Sequence, residues 1–388
     1  QINDLLGSIL QIDDLNSGTT LYAYDPLGNK ISETDARGVT LRTLYDEVNR
    51  PVALWEDGNP EETLVSNRYD FYEDCPSGKC SNLAGFLAST KYPVGDGTTG
   101  EDLNGYDQRG RAIYNARDVA GMLFESTVAY DNVDRAKAVT YPDGRTVEYA
   151  LDKAGRTKQI PGFVDNVTYE SRGMMDAAYL GNGTVSRTTY NSRLQIASIE
   201  TIGPQEAMVQ NYAYERDRVG NIYSIQDNRV SGAMPSGEGE FTYDSLYRLT
   251  NALLDTGRVQ PEQLTYSYNR VGNILSKTSS LEDESPAHVG NYTYGENAGP
   301  YAVTTAGDLQ YAYDSAGQMT FRGDDEYTWN HLGQLASVAQ GAETLARFGY
   351  DGNGERVYKE EDGHFTYYIS NDFEIRDGIA VTYLQLTG

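Results

Sequence analysis

Aromatic residues recur along this chain in pairs two positions apart, with a small or polar residue between them. Tyr22-Ala23-Tyr24, Tyr266-Ser267-Tyr268 and Tyr311-Ala312-Tyr313 are near copies; Phe241-Thr242-Tyr243, Tyr327-Thr328-Trp329 and Phe348-Gly349-Tyr350 are looser ones. Side chains alternate across a strand, so each pair puts two rings on one face. A second pattern follows the rings: Asp or Asn, two variable residues, then Gly. Eleven such slots begin at Asp25, Asp46, Asp107, Asp131, Asp152, Asp217, Asp244, Asn269, Asp314, Asn330 and Asp351. Gly fills the fourth place in eight of them: Gly28, Gly110, Gly155, Gly220, Gly272, Gly317, Gly333 and Gly354. Asn49 and Asp134 fill it in two more, and both residue types tolerate a left-handed backbone. Tyr247 is the exception.

The acidic or amide residue and the glycine together fit a type I turn, in which the Asx side chain bonds nearby backbone amides. Apolar alternation then resumes, at Ile31, Ile222, Ile225, Ile274, Leu335 and Val338. A second turn signal closes several units, at Glu56-Asp57-Gly58, Pro142-Asp143-Gly144 and Asp362-Gly363. One unit therefore predicts a β-hairpin in about 20 residues. A lone hairpin is marginal in water, so the units must pair edge to edge into a long sheet, with the tyrosines stacked in cross-strand ladders. A wide sheet curling around a wet interior suits such a Tyr face better than a Leu/Val sandwich does. The 40 glycines would interrupt helices throughout. The longest helix-tolerant windows, Leu83 to Leu87 and Ala342 to Phe348, are short. The gap between Asp46 and Asp107 predicts an insertion beside a degenerate copy at Tyr69-Asp70. The uninterrupted repeat predicts an all-β fold with residues 1–388 as a single continuous region, read as part of a longer polypeptide.

Composition first argues the other way. Asp and Glu number 57 against 31 Lys and Arg, a formal net charge of −26. Leu, Ile, Val and Phe total 77 of 388 residues, the range of disordered chains when charge is high. The 32 tyrosines raise the apolar-capable total to 109. Their regular placement turns the expectation from disorder to fold. Acidity opposes binding to a phosphate backbone, so no nucleic-acid partner is expected. No run approaches the ~20 apolar residues of a membrane helix.

Candidate chemistry is sparse. His331 occupies a variable turn place, His288 lies in an acidic loop and His364 follows a turn; none sits in a catalytic motif. No nucleophile elbow, phosphate-binding Gly-rich loop or His-Glu-x-x-His occurs. Most Asp residues sit at turn places, which explains them without a glycosidase carboxylate pair. The Asp-x-Asp-x-Asp-Gly form of a calcium loop is absent. No catalytic residue, metal ligand or cofactor is expected. Cys75 and Cys80, in Cys75-Pro-Ser-Gly-Lys-Cys80, lack the second ligand pair of a zinc site; they read either as two free thiols or as a turn-closing disulfide. The sequons at Asn166, Asn182 and Asn291 matter only in a eukaryotic secretory setting.

The motif Tyr-Asp-x-x-Gly followed by Arg, Asn or Gln resembles the YD repeat of Rhs proteins, of the C components of Tc insecticidal toxins and of teneurins. The defining residues are Tyr24, Asp25 and Gly28; Tyr106, Asp107 and Gly110; Tyr268, Asn269 and Gly272; Tyr313, Asp314 and Gly317; and Tyr350, Asp351 and Gly354. The resemblance runs from about Leu21 to Tyr368. It implies a long curved β-sheet that spirals into part or all of a hollow shell. It further implies a structural, non-enzymatic role in enclosing or helping to deliver a C-terminal toxin polypeptide, in a secreted or surface-borne bacterial protein. Implied partners are the cargo polypeptide or the remaining shell segments, together with secretion-apparatus proteins or surface glycans. Adhesion or carbohydrate binding by the same repeats is the alternative. The Asp-Pro-rich self-cleaving segment that usually follows bacterial repeats has no match: Asp25-Pro26 lies inside an early turn.

Overall fold

The computed structural model describes residues 1–73, 75, 78–95, 97–229, 237–255, 260–295 and 298–386. Among these the regular structure is β-strand, with two single 3₁₀ turns at Pro204–Glu206 and Glu282–Glu284 and no α-helix. The helix-tolerant window at Ala342 to Phe348 lies, apart from Ala342 in the preceding turn, in the strand Glu343–Tyr350. Strands pair antiparallel with their neighbours in sequence, from Ile2–Asn3 through Ala136–Thr140, from Val164–Tyr169 through Gly290–Tyr294, and from Leu309–Tyr313 through Ile379–Thr382. This is the meander that short, regularly spaced hairpins predict.

The turn rule sets the register. At the hairpin between Glu262–Tyr268 and Ile274–Ser279, Tyr268 faces Ile274, and the pairing shifts by one residue between Ser267 and Tyr268. The same shift falls immediately before Tyr24, Tyr45, Tyr130, Tyr243, Tyr313, Trp329 and Tyr350. Its cause is a type I turn followed by one left-handed residue, the usual three-residue hairpin loop with a bulge. The Gly272 amide donates to the Asn269 carbonyl at 3.3 Å, the Asn269 amide to the Asn273 carbonyl at 2.9 Å, and Gly272 has φ +100°. All eleven fourth places have positive φ, including Asn49 at 66°, Asp134 at 66° and Tyr247 at 63°.

The chain divides into two compact units. The first comprises residues 1–146, 294–304 and 309–385; the second comprises 147–293, 305–308 and 386–388. In the first, the most deeply buried side chains gather on Leu87–Gly95, Thr98–Tyr106 and Ala112–Val119 (Ala88, Tyr92, Val94, Leu103, Tyr114, Val119) and on late strands (Val357, Ile369, Phe373). In the second they are Val147, Thr157, Ile160, Val164, Val167, Ala177 and Ala178. Tyrosine is thus part of the core.

Candidate functional site

The site with the most built geometry is the turn itself, repeated along the sheet. In the Asp46 turn, Asp46 Oδ1 accepts the amides of Val48 at 3.0 Å and Arg50 at 2.9 Å, while Oδ2 accepts Arg50 Nε at 2.7 Å. The same triplet of bonds forms at Asp107 with Arg111, Asp131 with Arg135, Asp152 with Arg156 and Asp244 with Arg248. Asn29 replaces the arginine at Asp25, and Gln334 serves at Asn330. These bonds hold the carboxyls below the usual carboxylate range. The fifth-place backbone amide is the main cause at Asp46, Asp131 and Asp244, and the guanidinium at Asp107 and Asp152.

Four of these fifth-place arginines also lie against the next repeat's tyrosine. Arg50 sits 4.3 Å from the Tyr69 ring centroid, Arg111 4.7 Å from Tyr130, Arg156 4.2 Å from Tyr169 and Arg248 4.6 Å from Tyr268. That tyrosine's hydroxyl then donates to the carbonyl of the residue after the arginine. Tyr69 reaches Pro51 O at 3.2 Å, Tyr130 reaches Ala112 O at 2.9 Å, Tyr169 reaches Thr157 O at 2.6 Å and Tyr268 reaches Leu249 O at 2.7 Å. Trp329 Nε1 makes the equivalent bond to Met319 O at 2.8 Å. One expectation is corrected here. At these four turns the row is guanidinium on ring rather than ring on ring. The tyrosine hydroxyls on this row bond the backbone of the previous hairpin.

The insertion follows the same rule. The Asp70 amide donates to Phe86 O at 3.1 Å, so Phe86 holds the fifth place after the extra residues, and its ring stacks on Tyr106 at 4.6 Å. Tyr106 donates to Leu87 O at 3.0 Å. Cys75 and Cys80, within the insertion, are joined as a disulfide. Glu170 and Asn191 follow Tyr169 and Tyr190 and begin further turns, closed by Gly173 (φ 95°) and Leu194 (φ 65°). Reading only Asp/Asn with Gly overlooks both.

A second feature lies within the first unit, where the turns of the late strands meet the opposite turn edge of the early strands. Ser315 Oγ donates to Ala36 O at 2.7 Å, and Arg37 Nη1 to Gln318 Oε1 at 3.0 Å and Asn330 O at 3.2 Å. His331 Nδ1 stands 2.9 Å from Glu56 Oε2. Farther along, Tyr141 donates to Asp372 Oδ2 at 2.7 Å and stacks on Phe373. The backbones touch: a Cβ on Gly349 would overlap the Val94 carbonyl, and one on Gly317 the Asn16 carbonyl.

Arg117 anchors this seam. Its Nε and Nη2 bind Asp102 at 2.7 and 2.8 Å, Nη2 also binds Asp351 Oδ2 at 2.7 Å, and Nη1 donates to Tyr368 O at 2.9 Å. Tyr92 donates to Asp102 Oδ1 at 2.8 Å. Asp351 is 4% exposed and Arg117 14%. Burial, then the Asp102 charge, pushes the Tyr92 hydroxyl far above its ordinary range. Burial works against the Arg117 cation, yet the Asp102 hydrogen bonds and neighbouring charges raise its pKa overall.

His364 pairs with Asp377 at 2.8 Å, and His288 Nδ1 accepts the Ser279 amide at 3.2 Å. Among the described residues no group of three His, Cys, Asp or Glu side chains could hold a metal.

The comparisons agree with this geometry. The family described as Teneurin YD-shell matches residues 205–385. Toxin subunit YenC2 of Yersinia entomophaga is 24% identical, across 92% of this chain and 46% of that protein. YenC1 of the same organism is 23% identical, across 92% and 44%. The chain therefore spans a little under half the length of these curated relatives. Among solved structures, the Photorhabdus luminescens Tc holotoxin pore with the TccC3-D651A mutation superimposes with TM-score 0.80 at 19% identity, covering 96% of this chain and 21% of that one. TcdB2-TccC3 gives TM-score 0.80 at 20% identity, covering 96% and 22%. At such identities the likeness establishes the fold.

Proposed function

Taking the chain as a YD-repeat protein of the Rhs type, we propose that it is wall material of a shell that encloses a C-terminal toxin polypeptide and helps to deliver it. The observation that carries this reading is the edge seam. Within the first unit, one row of hairpin turns docks on the opposite turn edge of another, the kind of contact that a wound wall needs between its layers. Relatives that are toxin subunits over 92% of this chain favour toxin enclosure over adhesion. On this reading residues 1–388 act as one continuous repeat region. They work in a secreted bacterial protein, with the cargo and further shell segments as partners. The role is structural: the carboxylates of the repeat bond the backbone amides of their own turns, and no cofactor is required.

The test is electron cryo-microscopy of the full polypeptide that carries this segment, produced together with its toxin region. Weak, unfolded density enclosed by a wall of these strands is expected. A solid apolar core, or a folded toxin region lying outside the wall, would overturn the reading.

A further inference from the structure

The Asp351 turn departs from the other ten of the eleven Asp/Asn slots, whose fifth residue is Arg, Asn or Gln. Its fifth residue is Glu355, an acceptor that cannot donate to the Asp351 carboxylate. The turn's own bonds are otherwise in place: Asp351 Oδ1 accepts the Asn353 and Glu355 amides, each at 2.9 Å. Elsewhere the fifth-place arginine fills Oδ2, and in two turns its Nη1 also reaches the carbonyl at the start of the next turn. Arg111 does so to Asp131 O at 3.4 Å and Arg248 to Asn269 O at 3.0 Å. Arg117, 234 residues away in sequence, supplies the Oδ2 contact, to Asp351 at 2.7 Å, and its Nη1 donates to Tyr368 O, within the strand His364–Ser370, at 2.9 Å. Asp102 grips the other side of the same guanidinium and fixes its plane.

We propose that Arg117 completes the Asp351 turn in trans, so that this turn forms fully only when the late strands are seated on the early ones. The missing cis arginine is then a latch: turn completion and edge closure become one event, at the place where Gly349 meets the Val94 carbonyl and Gly352 the Thr90 side chain. A Cβ on Gly352 would stand 2.5 Å from Thr90 Cγ2. The inference concerns closure of the wall and does not depend on what the wall encloses.

Hydrogen exchange on the full chain separates the two events. Arg117→Gln is expected to speed exchange at least tenfold both at the Asn353 and Glu355 amides and across the seam peptides 87–95 and 364–370. Adding Glu355→Arg supplies the arginine in cis; it is expected to restore the turn amides while the seam peptides stay fast. Unchanged exchange in Arg117→Gln, or restoration of both regions by Glu355→Arg, would overturn the proposal. Should Arg117→Gln fail to fold, Asp351→Asn with Glu355→Gln copies the Asn330–Gln334 turn and deprives Arg117 of the Asp351 carboxylate. A protected turn with a fast seam is then expected, and a protected seam would overturn the latch.

Discussion

The Tyr268 hydroxyl donates to the Leu249 carbonyl at 2.7 Å, back across the hairpin to the residue that follows the preceding arginine. This bond explains why the second aromatic of each pair is nearly always one with a polar handle. Tyr268→Phe keeps the ring against Arg248 and leaves a partly buried carbonyl without its donor. A loss of about 1 kcal/mol is expected, read as a lower urea midpoint with an unchanged slope. No shift in midpoint would show that the hydroxyl does not tie adjacent hairpins together.

Gly272 has φ +100° with open space around its Cα, whereas Gly349 has ordinary backbone but touches Val94. The two glycines should therefore fail differently. Gly272→Val strains one turn, at a cost of about 1–3 kcal/mol, without disturbing distant strands. Gly349→Ala drives a methyl group into the Val94 carbonyl, so hydrogen exchange should rise across Leu87–Gly95 as well as around position 349. A purely local effect at Gly349 would count against the seam.

Tyr247 stands at a glycine place with φ 63° and is 60% exposed. Left-handed backbone costs a side-chain-bearing residue about 1–2 kcal/mol. Tyr247→Gly should therefore be neutral or raise stability, by up to about 1 kcal/mol, because the added unfolded-state entropy offsets part of the relief. A clear loss of stability in thermal or urea unfolding would show that the ring does more than fill a turn.

The turn carboxyls set the acid limb of stability. Asp46, Asp107, Asp131, Asp152 and Asp244 are held below their unfolded value in the folded state. A depressed folded pKa contributes stability that is fully present above the unfolded pKa, about 3.9, and is lost as pH falls through the folded values. Tyr92, Tyr106 and Tyr268 are raised by burial, so the alkaline limb falls once pH exceeds the unfolded tyrosine value of about 10. A urea-midpoint profile should be flat between the two limbs. A midpoint that kept rising below pH 4 would contradict the turn assignment.

The sequence displays the local part of this structure clearly. Asp25 and Gly28 declare a turn within four residues, and Tyr22 and Tyr24 declare a strand face within three, because turn chemistry and strand alternation act over such windows. What stays hidden depends on distance. The hydroxyl of Tyr106 finds Leu87 only after an insertion has been folded away, and Phe86 replaces an arginine there with no motif to announce it. Arg117 and Asp351 meet across 234 residues. The one trace of that pair in the sequence is Glu355, an acid where the turn calls for a donor.

Protection of the proposed cargo tests the central claim most directly. The toxin polypeptide, produced together with the wall that contains this segment, should survive protease at a dose that digests the same polypeptide alone, and should lose that protection when Gly349→Ala opens the seam. Digestion at the same rate with and without an intact wall would contradict the account.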